Sequence, residues 1–482
     1  MAGDAALQPA LEAEVAVLGG GGAGLAAAVA AAEKGARVLV VEKRKDLGGN
    51  SAMAEGLFAA ESSVQKRLNI DARREHLFRV AMAHSHWKLN PRIIRAFIDK
   101  SADTIEWLQD KGLSFDCVPY YPNQIPVWHC FEGGGIKLAR TMVKNCRDLG
   151  VTLLNNTAAK EILTDQNRRV TGVRVAAGGK AQTIVAKSVI IATGGYGGNK
   201  KLLKKYCPFY TEDMFCQGLP HMGDGLSMAM TTGAATEGLG ILQLGGPGFI
   251  GSSNLRAIAR EPDTVWVNNR GERYIDEAVG FIRFESANAL LRQPGKISYS
   301  LFDEGVKKSK MEVGVILGTG LVISPHTRLS GVDREMKSET ARDMVKIAGS
   351  WDEIAEWIGA RPEVLKATIN EYNADCDDGY DRIFAKPRQY LAPLRTPPYY
   401  ALQCHANFLS SIGGIKINHR MEVLDCEDNP IPGLYAGGLD AGGWETETYN
   451  VELAGAALGF AINSGRIAGE NAVKYARGTK HD

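Results

Sequence analysis

An α/β fold is predicted, in which one parallel-sheet domain is split along the sequence by a second, α+β domain. Three observations carry this. EVAVLGGGGAGLAAAVAAAEKGARVLVVEK reads as an apolar strand, a glycine turn, an alanine-rich helix and a second strand closing on an acid. That is a βαβ unit, at the length of about 30 residues such a unit takes. From 243 to 409 glycine turns thin out and charged helical stretches such as SETARDMVKIAGSWDEIAEWIG take over. The first pattern then returns, with GLYAGG ending a strand and LAGAALGFAINSGRIAGENAVKYA forming a long helix whose small residues permit close packing. The expected division is 1–242 for the first part of the split domain, 243–409 for the inserted domain and 410–482 for the second part.

In the opening unit, Gly19, Gly21 and Gly24 fill the G-x-G-x-x-G positions and Glu42 closes the second strand. Glycines there let the backbone and a helix N-terminus approach a pyrophosphate, and the acid accepts hydrogen bonds from a ribose. Strand, helix and acid in register predict a dinucleotide site. NPRIIRAFIDKSADTIEWLQDKG repeats its apolar residues at helical spacing, so it reads as a packed amphipathic helix. YYPNQIPVWHCFEGGG is a Pro- and aromatic-rich loop that ends in a second glycine turn and leads into another helix. Beyond it, VTLLNNTAAKEILTDQNRRVTGVRVAAGGKAQTIVAKSVIIATGG alternates as short strands and polar turns.

At 482 residues and 45% hydrophobic content the chain can bury a sizeable core. A formal charge of +1 provides no field for nucleic acid or an anionic membrane. The acidic lead-in MAGDAALQPALEAE lacks the basic start of a signal peptide, and no uncharged stretch approaches the ~20 apolar residues of a membrane span. Eight cysteines show no C-x-x-C pair and no zinc or iron–sulfur spacing. They are expected as free thiols in a reducing, cytoplasmic setting, with no metal site.

Taken in order, VLGGGGAGLAAA, GGNSAMAEG, IIATGGYGGN, HMGDGLSMAMTTGAA, VNNRGERYIDE, SIGGIKIN and IPGLYAGG resemble the motifs of the fumarate reductase and succinate dehydrogenase flavoprotein family, over nearly the whole chain. The resemblance implies FAD, a Rossmann-like FAD-binding domain interrupted by a capping domain, and hydride transfer between flavin N5 and a carbon–carbon bond. It assigns Gly19, Gly21, Gly22, Ala23 and Gly24 to the pyrophosphate turn and Glu42 to the ribose. Lys43, Gly49, Asn50, Ser51, Ala54, Glu55 and Gly56 match the segment beside the flavin. Ala159, Ala192, Thr193, Gly194 and Asp224 match further cofactor-lining positions, as do Gly438 and Asp440 after the strand that meets the flavin. Ala456, Ala457 and Leu458 match a helix start whose backbone N–H groups stabilise a reduced, anionic flavin. Members with covalent FAD carry a histidine in the segment that here reads LGGNSAMAEG, so non-covalent FAD is implied.

The departures bear on substrate. Fumarate-reducing members hold both substrate carboxylates with arginine and histidine, since guanidinium pairs with carboxylate in a bidentate fashion. Here the H-P-T segment falls near Gly245, one histidine falls on Ser410, and the arginine before the final helix falls on Glu452. A buried carboxylate repels a dicarboxylate unless protonated, so fumarate and succinate are disfavoured. The expected reaction is reduction of an activated C=C bond, or the reverse desaturation, in a neutral cyclic or aromatic substrate such as an enone, ketosteroid or isoflavonoid. Tyr449 and Arg283 are the candidate proton donors, Arg283 lying two residues beyond the family's spacing. Trp128 and His129 fall in a loop where the family places substrate contacts, and a structural role for His129 stays open. Glu445 and Glu447 are either solvated loop acids or acceptors for substrate hydroxyls, and His221 reads as structural. No second glycine fingerprint appears, so electrons are expected from a carrier protein or free reduced flavin. A 3-ketosteroid dehydrogenase using an external acceptor, a non-redox FAD-dependent isomerase or hydratase, and an electron carrier or sensor stand as alternatives.

Overall fold

Strand β1 (Leu11–Leu18) and strand β2 (Val38–Val41) pair in parallel, Val15 opposite Val38 and Leu18 opposite Val41. Helix α1 (Gly22–Glu33) joins them. Val15 to Leu18 and Val38 to Val41 are all buried, as expected of parallel strands covered on both faces. A computed structural model describes residues 11–319 and 323–478; the first ten residues of the acidic lead-in lie outside them.

Helix Ala456–Ala476 packs on α1 at backbone range. A Cβ at Gly465 would stand 2.2 Å from the Ala23 carbonyl oxygen, and one at Gly469 2.4 Å from that of Ala27. The small residues seen in the sequence are therefore what allows the two helices to meet.

The main sheet runs Glu422–Leu424, Pro430–Ala436, Lys180–Ile191, β1, β2, Thr152–Leu154, with Thr157–Thr164 and Val170–Ala177 forming an antiparallel extension of Lys180–Ile191. Ile191 is level with both Leu18 and Ala436, so strands from the two ends of the chain finish level on either side of Lys180–Ile191. Ligands of open α/β sheets bind in the crevice outside these carboxyl ends.

The described residues divide into two units: 11–208, 218–242 and 410–478 form one, and 209–217, 243–319 and 323–409 the other. In the second unit, Ile297–Asp303 pairs antiparallel with Val265–Val267 and Tyr399–Ser411, and the latter also takes Val345–Ala348. Helices Trp351–Ile358 and Pro362–Asp378 cover a core that includes Leu301, Phe302, Ile354, Leu365 and Leu402. Arg273 sits buried between Glu277 and Asp381 at 2.8 Å from each, with Lys386 3.1 Å from Glu277. These buried charges are mutually paired, which is the condition for tolerating them.

Candidate active site

The turn after β1 is built from close backbone contacts. A Cβ at Gly19 would lie 2.2 Å from the Ala192 carbonyl oxygen, and one at Gly24 1.9 Å from that of Gly19. Gly19 also has φ +107°, a region where a side chain is strained. The Glu42 carboxylate accepts the N–H of Gly20 and the N–H of Arg44, each at 2.8 Å. Ser51 Oγ lies at the N-terminus of α1, accepting the Gly22 N–H at 3.2 Å. A hydroxyl oxygen thus stands where the positive helix end would take a phosphate oxygen.

Around this turn lies a groove continuous with solvent. Of the cofactor residues expected from the sequence, Gly19, Gly21, Gly22, Ala23, Glu42, Lys43, Gly49, Asn50, Ser51, Ala159, Ala192, Thr193, Gly194, Asp224 and Gly438 line it. Lys43 and Asp224 form an ion pair at 2.6 Å. His221 also lines the groove, its ring against Gly194. Burial, helped by Lys43 and Arg44, holds its pKa at about 4, so the ring is neutral. Its position one residue from the G-D-G turn was the signal available in the sequence.

The remaining residues expected at the cofactor from the sequence do not line the groove. Gly24 makes the close approach already described. Ala54 and Glu55 accept backbone N–H groups of Gly135 and Phe131. A Cβ at Gly56 would meet the His129 carbonyl oxygen at 2.6 Å. Asp440 is fully buried and accepts the N–H groups of Thr193, Gly194 and Gly195 and the Thr193 hydroxyl. Burial pushes its pKa up and these donors counter the push. Its work is to shape the Ala192–Gly194 turn that the groove uses. Ala456, Ala457 and Leu458 open the long helix, which begins after Gly455 in the left-handed region.

The segment Gly442–Leu453 packs mostly inward. Trp444 stacks on Phe460 with ring centres 4.4 Å apart and donates its Nε1–H to the Ala441 carbonyl. A ring nitrogen of His84 bonds the Thr448 carbonyl at 3.0 Å, and Gln124 donates to the Val451 carbonyl at 2.6 Å. Glu447 is exposed and paired with Lys88 at 2.9 Å, so it is the solvated acid of the two. Glu445 is 5% exposed; one oxygen accepts the Asn450 N–H at 3.2 Å, and the other has no partner. Burial pushes its pKa up to about 8. Tyr449 is buried, and its phenolic oxygen accepts the Ala457 N–H at 2.9 Å. Half-buried Glu452 accepts the Tyr121 hydroxyl.

His129 is fully buried, with Nε2 2.7 Å from Ser62 Oγ and Nδ1 3.0 Å from the Val127 carbonyl. Both ring nitrogens being taken, the geometry gives it a structural role in place of a substrate contact. Trp128 is half-buried, edge-on to Tyr120, and Ser410 is buried. Arg283 belongs to the second unit. Its guanidinium lies 5.1 Å from the Phe284 ring centre, and its Nε is buried without a hydrogen-bond partner. Among the described residues no cluster of His, Cys, Asp or Glu could hold a metal, and no helix is long and apolar enough to cross a membrane.

A parallel sheet with a glycine-turn groove at its carboxyl edge defines an α/β protein that holds a dinucleotide cofactor. Residues 14–452 match the family model described as an FAD binding domain, and the chain belongs to that family. It is 32% identical over 477 residues to the vinyl phenol reductase of Lactiplantibacillus plantarum, with 96% of each chain covered. It resembles the open conformation of a flavocytochrome c3 fumarate reductase at 27% identity and TM-score 0.75, over 97% of this chain and 79% of that one. It shares the fold of 3-ketosteroid Δ1-dehydrogenase from Sterolibacterium denitrificans at 20% identity and TM-score 0.82, over 96% and 99% of the two chains. The protein is an FAD-dependent oxidoreductase acting on carbon–carbon bonds.

Proposed function

We propose that the protein reduces an activated C=C bond, or runs the reverse desaturation, in a neutral cyclic or aromatic substrate. The observation that carries this is the make-up of Gly442–Leu453: two carboxyl side chains, Glu445 and Glu452, are buried or half-buried there beside Tyr449. A dicarboxylate would meet repulsion at Glu452, whereas a neutral ligand offering hydroxyls would find acceptors. Enones, ketosteroids, isoflavonoids and alkenyl phenols all fit, and the vinyl phenol reductase relative favours the phenolic end of that range.

The groove fits FAD. A Cβ at Gly22 would fill the cradle, standing 2.3 Å from Ser51 Oγ, whereas Gly21 has nothing nearer than 3.9 Å. Gly21, Gly22 and Ala23 would hold the pyrophosphate, Glu42 the ribose, and Ala456 to Leu458 the pyrimidine end. When bound, FAD supplies the two-electron hydride chemistry. Tyr449 delivers the proton: charge left on its oxygen is stabilised by the Ala457 N–H and by the positive end of the helix. Arg283, with its unpaired Nε, is the second candidate. FAD is held without a covalent bond, the segment Gly49–Gly56 having no histidine. Electrons come from a carrier protein or free reduced flavin. The eight free cysteines suit a reducing cytosol.

The test is anaerobic photoreduction of the purified yellow protein, followed by addition of enones, ketosteroids and alkenyl phenols. Return of the flavin band near ~450 nm with at least one of them is expected. No return with any would leave the isomerase or hydratase reading in its place.

A further inference from the structure

The loop entering helix Ala456–Ala476 carries two carboxyl groups, and one oxygen of Glu445 is left by the fold without a partner. In half-buried Glu452, Oε1 accepts the Tyr121 hydroxyl and the backbone N–H is fixed on Asn450 Oδ1 at 3.0 Å. In Glu445, Oε1 accepts the Asn450 N–H at 3.2 Å, and Oε2 is buried and unpaired. Asn450 therefore ties the Glu445 carboxyl group to the backbone of Glu452, and Tyr449 stands between the two acids in sequence. The buried Glu445 oxygen without a partner costs roughly 1–3 kcal/mol, and a hydroxyl-bearing ligand would remove that cost.

A second consideration is electronic. In a para-hydroxystyrene the ring oxygen pushes electrons into the vinyl group, so a hydride cannot add to it directly. The alkene becomes reducible when the phenolic proton is withdrawn while the terminal carbon is protonated. Carbon and oxygen then rearrange to a neutral quinone methide, whose ring-attached carbon is electrophilic.

Building on the proposed function, we infer that Glu452, positioned by Tyr121, is the base that accepts the phenolic proton of a para-hydroxystyrene substrate. The O–H bond breaks towards Glu452 Oε2. A C–H bond forms at the terminal vinyl carbon with the proton of Tyr449, and the alkene electron pair supplies that bond. The two electrons and the hydrogen still required at the ring-attached carbon would be supplied by reduced FAD when bound. The ring oxygen then retakes the proton from Glu452. The net change is one hydride and one proton added across the C=C bond.

The test compares 4-vinylphenol with its methyl ether, 4-methoxystyrene, as oxidants of the photoreduced wild-type protein. The phenol is expected to reoxidise the flavin at least about 100-fold faster, since a site built around a substrate hydroxyl rejects analogues lacking it. In E452Q with its FAD retained, kcat for the phenol should fall by about 100-fold or more, the size of a general-base contribution. A further readout needs no reduction: in D2O the oxidised wild-type protein should wash deuterium into the terminal vinyl carbon of 4-vinylphenol, and E452Q should not. A methyl ether as fast as the phenol, or undiminished turnover and exchange in E452Q, would overturn the inference. Should E452Q fold poorly, the wild-type ether comparison decides alone. Reoxidation by enones but not by 4-vinylphenol would sink this inference and leave the proposed function standing; no reoxidation by any neutral alkene would sink both.

Discussion

Replacing Tyr449 with Phe removes one oxygen atom that, by the geometry, has two roles. Structurally it accepts the Ala457 N–H at 2.9 Å, at a buried position. Leaving that donor unpaired costs about 1–3 kcal/mol, a melting shift of only a few degrees in a chain this large. Catalytically, loss of a positioned proton donor removes about 10²–10⁴ in rate, equivalent to roughly 3–5 kcal/mol of barrier. The activity loss should therefore outrun the stability loss. The assay is anaerobic stopped-flow reoxidation of reduced Y449F by a substrate found for the wild type, with calorimetric melting and bound FAD measured on the same preparation. A rate within about threefold of wild type, together with a lowered melting temperature, would show that Tyr449 only caps the helix. Proton delivery would then pass to Arg283.

Other consequences can be measured separately. In D440N, whichever way the amide turns, at least one N–H among Thr193, Gly194 and Gly195 faces an NH2 group. At about 1–3 kcal/mol for the orphaned donor, FAD affinity in a fluorescence titration should weaken about tenfold or more, and unchanged affinity would contradict the assigned role. G22A places a Cβ 2.3 Å from Ser51 Oγ, so it should purify folded by circular dichroism yet colourless; a yellow G22A would mean the cradle lies elsewhere. Glu445, with its pKa raised from 4.5 to about 8, keeps a proton that the unfolded chain releases. It therefore stabilises fully below its unfolded pKa, and that contribution is lost as pH rises through about 8. Denaturation midpoints should fall between about pH 5.5 and pH 8 in the wild type, by less in E445Q, and equal slopes would refute burial of this carboxyl. Acid or heat denaturation should release all the FAD into an ultrafiltrate, whereas yellow colour kept by the pellet would reveal a covalent link.

The nucleotide-binding part was legible because its constraints are local. Gly19 and Gly24 must be glycine for backbone reasons, Gly21 completes their spacing, and Glu42 follows them by strand length. The long helix showed by its small residues that it packs closely, but its partner, which Gly465 and Gly469 approach at Ala23 and Ala27, was visible only in the structure. The substrate end was less legible because its burial is decided by distant segments. Glu445 and Glu447 are two residues apart with the same side chain, yet one is buried in the loop whose Trp444 stacks on Phe460 while the other meets Lys88 in solvent. His129 takes its hydrogen bond from Ser62, 67 residues away, and nothing in its own loop announces that. Tyr121 reaches Glu452 across 331 positions, so the pairing that distinguishes this site could not be read from either motif alone.

The most direct measurement pits charge against neutrality. The photoreduced protein is mixed anaerobically with fumarate in one syringe experiment and with a neutral alkenyl phenol or enone in another, at matched concentrations, and the return of flavin absorption is timed. Carboxyl groups at Glu445 and Glu452 in place of a cationic clamp predict rapid reoxidation by a neutral alkene and none above background by fumarate. Fumarate as the faster oxidant would contradict the account.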